Sequence, residues 1–211
     1  MKRLFFLVNL LFLLTTPGWS LEFWGVDIDG LEIQGGMSWY GNSVEDSAPD
    51  PVVMNVGFSV PFRFFSYFTF RPENQFFLNT YGFENGRTIP LEPMFDSVLF
   101  LTWIINPALG FEYPLTQEIT LGTELTLAFF PRFPIFFLGK GSSQALDATG
   151  WFYSGRFFFP GVEVHGIWQF SELFALTARG YLFYPVFNLW TGDPWYDQLG
   201  LTLNFGLRFK L

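Results

Sequence analysis

The chain of 211 residues contains no cysteine and only one histidine. The first absence excludes a disulfide framework and a lipid-bearing N-terminal cysteine, so stability outside the cytoplasm has to come from backbone pairing. One histidine without a thiol is too little for a zinc site, and no metal or other cofactor is expected. Charge is also scarce, at 14 % of residues, and lopsided, with 11 Lys and Arg against 19 Asp and Glu. Nucleic acid is therefore not an expected partner, since its phosphates demand cations. A long apolar run is missing too. The longest, 4–14, is about half the ~20 residues that a membrane-spanning helix requires. No Gly-rich phosphate loop or nucleophile elbow occurs. Asp27-Ile28-Asp29-Gly30 with Glu32 resembles a calcium loop only superficially, because the ligands expected farther along are absent.

What the chain has in abundance is aromatic surface. Thirty-one Phe, eight Trp and eight Tyr make up 22 % of it, more than one small core can hide from water with so few charges to keep it dissolved. The short run 4–14 follows Lys2 and Arg3 and precedes Pro17-Gly18-Trp19-Ser20, the layout of a secretory signal peptide, and cleavage is expected after Ser20. Residues 21–211 then form one domain, with 9 basic against 19 acidic residues and a net charge of −10.

Within that domain the dominant pattern has a period of two. At 199–211 every odd position is Leu or Phe, and the even positions are Gly200, Thr202, Asn204, Gly206, Arg208 and Lys210. A strict alternation over thirteen residues is one apolar and one polar face, and the length suits a strand that crosses a bilayer at a tilt. Similar alternation gives strands at 22–40, 51–64, 66–82, 94–114, 118–131, 151–168, 173–185 and 196–211. Three are less regular: 22–40 switches face near Asp29-Gly30, 66–82 has aromatics on both faces, and 151–168 carries Arg156 on its apolar side.

The connections alternate between short turns, near Phe64-Phe65, at 114–118 and at 169–173, and longer segments at 41–50, 83–93, 132–150 and 186–195. The expected fold is all-β, a transmembrane antiparallel up-and-down barrel of eight strands with both termini in the periplasm. Ten strands, obtained by splitting 94–114 at Asn106-Pro107, is the alternative. In hydrocarbon an unpaired backbone group costs several kcal/mol, and only closure removes the edges. Trp39, Tyr40, Tyr81, Trp103, Tyr113, Trp151, Trp168, Tyr184, Trp190, Trp195 and Tyr196 fall near strand ends, where interfacial girdles sit.

If the apolar faces meet lipid, the opposite positions fill the lumen. They include Glu112, Glu118, Glu124, Glu163, His165, Arg179 and Arg208, and Arg179 and Arg208 are expected to pair with Glu124 and Glu163. This network reads first as structural filling. A catalytic role for His165 is disfavoured because it points inward, and Ser171, its nearest serine, lies in a turn. The other candidate is the segment 132–150, where Arg132, Phe133, Phe136 and Phe137 form a Pro-bounded cluster before Gly139-Lys140-Gly141-Ser142-Ser143. These four are candidates for ligand contact on the outward side, although 135–138 also reads as an extension of the barrel wall.

The segment 110–121, Gly-Phe-Glu-Tyr-Pro-Leu-Thr-Gln-Glu-Ile-Thr-Leu, together with the signal peptide and the terminal strand, resembles the small bacterial outer-membrane barrels of the OmpA, OmpX and OmpW type. The terminal strand departs from their assembly signal in ending on Leu211, with Phe209 two residues before it. The resemblance implies a Gram-negative outer membrane, lipid as surroundings and the barrel-assembly machinery as a partner of the C-terminal strand. It also implies a monomer that works as an anchor, adhesin or porin-like conduit. The expected function is therefore non-enzymatic, with outward loops contacting a ligand or surface and passage for small hydrophobic solutes. The competing readings are a lipid A-modifying enzyme built on His165 and a soluble periplasmic lipocalin-like carrier with its apolar faces turned inward.

Overall fold

The structure, a computed structural model, describes residues 26–44, 52–92, 97–137 and 141–210. The signal peptide 1–20, its cleavage point and Leu211 lie outside the described residues. Twelve strands follow in chain order: β1 Val26–Ile28, β2 Leu31–Tyr40, β3 Val52–Ser59, β4 Phe62–Phe64, β5 Phe68–Glu84, β6 Arg87–Pro90, β7 Val98–Pro114, β8 Ile119–Phe129, β9 Arg132–Phe137, β10 Phe158–Gln169, β11 Phe174–Phe183 and β12 Gly200–Phe209. Two helices, α1 Gly141–Tyr153 and α2 Asn188–Thr191, lie in the third and fourth long connections.

Eight of these strands close on themselves in the antiparallel order β2-β3-β5-β7-β8-β10-β11-β12, with β12 returning to pair with β2. The remaining strands extend barrel strands. β1 and β4 continue β2 and β3 past breaks at Asp29-Gly30 and Val60-Pro61, and the two breaks are joined where the Asp29 N–H donates to the Pro61 carbonyl at 2.9 Å. Gly30 has φ +138°, and a Cβ there would lie 2.1 Å from the Phe209 carbonyl oxygen, so the face switch near Asp29-Gly30 needs glycine. β9 continues β8 past Pro131 and pairs with β7. β7 runs unbroken through Asn106-Pro107, with Pro107 opposite Pro72 of β5, so the ten-strand alternative does not occur.

The faces fall as alternation requires. Met54, Leu125 and Phe205 are 81 %, 70 % and 61 % exposed on the outer wall, while Glu32, Glu163 and Asn204 on the inner wall are fully buried. A soluble carrier would reverse this, so the lipocalin-like reading is overturned: the charged residues line the lumen and the apolar band faces outward. Both ends of the described chain lie with the three short turns at one end, here the terminal end, and the longer connections at the other, the loop end.

Two expectations about the connections need correction. Within the long connection 132–150, residues 132–137 are β9 and 141–150 most of α1, and 151–168 is not one strand, since α1 runs to Tyr153 and β10 begins at Phe158. The reason is an apolar helical stripe, Ala145, Ala148 and Phe152, which buries against Tyr81, Val98 and Phe100 at the loop end. Arg156, anomalous on a strand, sits in the turn after the helix, stacked 4.5 Å from the Trp151 ring centre and paired with Asp193 at 3.5 Å. The segment 83–93 contains the β5–β6 hairpin. Its turn residues Asn85 and Gly86 have φ +52° and +78°, the conformation that an Asn-Gly pair favours in a two-residue hairpin turn.

Candidate functional site

The lumen is filled in two layers, polar at the terminal end and aromatic toward the loop end. The polar layer arises because β2, β5, β7, β8, β10, β11 and β12 each place one or more charged residues on the inward parity. Arg71 of β5 is its hub. Its Nη1 donates to Glu73 Oε2 at 2.7 Å, its Nε and Nη2 donate to Glu124 Oε2 at 3.1 and 2.6 Å, and Nη2 also donates to Glu163. Arg179 clasps Glu32 with Nε and Nη2 at 2.6 and 2.8 Å and reaches Glu163 Oε1 with Nη1 at 2.5 Å. Arg208 joins Asp29 at 2.7 Å, Glu32 at 3.2 Å and Glu112 at 3.6 Å, and Arg63 bridges Asp29 and Glu112 at 3.0 and 2.9 Å.

His165 completes this array. Its Nδ1 lies 3.0 Å from Glu163 Oε1 and its Nε2 3.3 Å from Glu112 Oε1. An ionised carboxylate accepts and cannot donate, so this geometry suits a ring that donates from both nitrogens, as imidazolium. The ring fits because β8 has Gly122 opposite it: a Cβ there would meet His165 Nε2 at 2.2 Å. Six carboxylates thus face four guanidiniums and one imidazole. Such a network is costly to desolvate and holds only when every member is paired, so it fixes one packing of the lumen.

Glu124, Glu163 and His165 bring ligand atoms within 4.8 Å of one another, the spacing of a metal site. Arg71 already donates to both carboxylates, which meets the demand for positive charge that a cation would otherwise satisfy. Asp29 and Glu32 of the calcium-like segment are likewise held by Arg63, Arg179 and Arg208.

Above the charges lies the aromatic layer. Phe130 stacks on Phe159 with ring centres 4.2 Å apart and meets Phe183 edge-on at 5.4 Å, and Phe187, from the last long connection, closes over Phe159 at 5.3 Å. Tyr40 stacks on Phe77 at 5.4 Å. Tyr181 belongs to both layers, since its ring stacks on Phe183 at 5.6 Å and its hydroxyl donates to Glu73 Oε1 at 2.8 Å. Over this layer sit α1 and the last connection. The latter is pinned by Asn188, whose Nδ2 donates to the Pro194 and Asp197 carbonyls at 2.8 and 2.7 Å, and by Arg87, which pairs with Asp197 at 2.5 Å.

No protein-family model and no curated protein matches the chain. The match is to solved barrels. The crystal structure of Neisserial surface protein A superposes with a TM-score of 0.54 at 11 % identity, over 89 % of this chain and 99 % of that one. Ail, the attachment invasion locus protein of Yersinia pestis, gives a TM-score of 0.44 at 7 % identity in its complex with sucrose octasulfate, over 87 % of this chain and 97 % of that one. The likeness to Neisserial surface protein A establishes the fold: this chain is an eight-stranded barrel of the kind found among outer-membrane proteins.

The structure gathers Glu112, Glu124, Glu163, His165, Arg179 and Arg208 into one network, with changed partners. Glu163 does meet Arg179, but Glu124 belongs to Arg71, and Arg208 serves Asp29, Glu32 and Glu112. Glu118 is exposed in the turn after β7, where chain reversal takes it off the wall. Arg71, Glu73, Glu32 and Asp29 were not among the expected lumen residues, whereas Arg63 falls on the polar face of the 51–64 alternation. The first two lie in the stretch with aromatics on both faces, and Asp29 and Glu32 flank the break that hides the parity. Among the candidates at the loop end, Phe133, Phe136 and Phe137 are exposed on β9, but Arg132 is only 3 % exposed. It is no outward contact, because β9 continues the inward parity of β8 and turns Arg132 under Phe152, 4.1 Å from the ring centre. Tyr40 and Tyr81 similarly point inward and do not contribute to a girdle.

Proposed function

We propose that the chain is a non-enzymatic integral outer-membrane barrel, with its terminal end in the periplasm and its capped loop end outward as a contact surface for an external ligand or surface. One observation carries this reading. A band of exposed Leu, Val, Met and Phe encircles a lumen that holds ionised groups, an arrangement stable when hydrocarbon surrounds the wall. Exposed Tyr67, Tyr113 and Trp168 at the terminal end, and Trp190, Trp195 and Tyr196 at the loop end, support interfacial anchoring at the two rims. The regular terminal strand β12 supports delivery through the barrel-assembly machinery, and the closed sheet supports a monomer.

Contact is favoured over conduction because side chains fill the lumen at both levels. Lipid modification is disfavoured because His165 is 4 % exposed and engaged at both nitrogens, while Ser171 accepts a hydrogen bond from the Phe174 N–H at 3.0 Å in the turn. Extraction from outer membranes only with detergent, with a folded gel band that shifts on boiling, is the expected result. Solubility of the mature chain without detergent would overturn it. Protease sensitivity confined to the loops on intact cells tests the orientation, and an unchanged lipid A acyl pattern in His165→Ala tests the absence of enzymatic activity.

A further inference from the structure

Beneath α1 at the loop end is a small cavity of about 30 Å³, walled by Tyr40, Tyr81, Arg87, Arg132, Trp151 and Gln198. Its chemistry differs from that of the lumen below. Every arginine in the polar layer touches a carboxylate, whereas Arg132 has no carboxylate within 4 Å among the described residues. Its guanidinium lies 4.1 Å from the Phe152 ring centre and 5.8 and 5.9 Å from those of Phe130 and Phe159, its Nη1 donates to the Arg156 carbonyl at 3.3 Å, and the Tyr81 hydroxyl is a further polar neighbour. Its Nε has no partner, although the side chain is 97 % removed from solvent. A buried guanidinium without an anion is strongly unfavourable unless something completes it.

The surroundings are suited to completing it with an anion. Gln198 Nε2 and Arg87 Nε are buried and unpartnered as well, and both residues line the same cavity as Arg132, as does Tyr40. Two acceptors, Asp197 Oδ2 and Gln198 Oε1, are also unpartnered. The Asp197 charge is taken by Arg87 at 2.5 Å, and Asp193 is shared by Arg87 and Arg156, so among the described residues the two aspartates beside the cavity are already engaged by arginines other than Arg132. We propose that this cavity binds the oxyanion end group of a hydroxylated ligand, a carboxylate or phosphate, with the guanidinium edge of Arg132 on the oxyanion and Gln198 and Asp197 able to meet a hydroxyl. The cavity has room for the charged group alone, so the rest of the ligand lies outside it, along the Trp151 wall.

That the ligand arrives from the cell exterior rests on the orientation proposed above; the site itself does not. The test uses the whole folded barrel in non-ionic detergent, with potassium phosphate or potassium acetate exchanged against potassium chloride at constant ionic strength. The Arg132 Nε–H resonance is followed. A saturable shift is expected with at least one of the two anions, and which one responds identifies the group. Arg132→Met should abolish the saturable response at the Trp151 indole. Arg132→Lys, which keeps the charge but loses the Nε–H edge, should weaken it roughly tenfold. A linear response to both anions, or an indole response in Arg132→Met equal to that of the parent, would overturn the proposal. Loops cleaved only from the periplasmic side would overturn the orientation and leave saturable binding standing.

Discussion

The two layers of the lumen solve the same packing problem with opposite chemistry. At the terminal end the filling consists of charges held by directional bonds, where removing one member leaves several others unpaired. Toward the loop end it consists of Phe130, Phe159, Phe183 and Phe187, held by area and shape, where removal leaves a void. The charged layer therefore specifies which side chain sits where, and the aromatic layer seals the space above it.

Four substitutions probe that contrast, each read as a shift in the unfolding midpoint of the detergent-folded barrel. Arg71→Met should be the most damaging, because it leaves Glu73 and Glu124 without a cation and takes one of two arginines from Glu163; a loss of about 3–5 kcal/mol or more is expected. If the barrel tolerates it with less than about 1 kcal/mol lost, the charged layer is not the tightly coupled unit described above. Phe159→Ala should cost about 3–5 kcal/mol through the cavity it opens. The double variant should then be additive to within about 0.5 kcal/mol, since Arg71 is held by carboxylates and Phe159 by aromatic rings of the other layer; marked non-additivity would show one cooperative core instead of two layers. Gly122→Ala should cost about 1–3 kcal/mol by driving a methyl into His165, and His165→Ala in the same background should recover part of that loss. Tyr181→Phe removes the hydrogen bond to Glu73 that ties one layer to the other and keeps the stacked ring. A loss of about 1 kcal/mol is expected, so a neutral result would show the layers to be independent.

How much of this could be read in advance depended on the regularity of each strand. β12, β11 and β8 alternate most regularly, and their inward residues Arg208, Arg179 and Glu124 line the lumen, as do Glu163 and His165 of β10, where Phe159 and Ile167 also face inward. β5 does not alternate by polarity: Phe77 and Tyr81 face inward and Asn74 outward, where its Oδ1 accepts from Trp103 Nε1 at 2.9 Å. That irregularity concealed Arg71, the hub of the whole network. Helix α1 was concealed by a different cause. Its aromatic residues are confined to its end, Trp151-Phe152-Tyr153, and run on into the aromatic start of β10, so only the spacing of Ala145, Ala148 and Phe152 marks the helix. The Asn85-Gly86 pair was a readable signal for the β5–β6 hairpin that the loop assignment passed over.

By itself the sequence determined which segments carry one apolar and one polar face, because a period of two is a local property that each segment carries without reference to its neighbours; that eight of them close with the apolar face outward was settled by their pairing. Only the tertiary structure decided which charges meet. Strands far apart in the chain, such as those bearing Glu32 and Arg179, become partners across a closed lumen, and their pairing depends on shear and register that no single strand encodes. The same holds for Arg132, which finds no carboxylate among the described residues because of the elements packed around it, not because of its own strand.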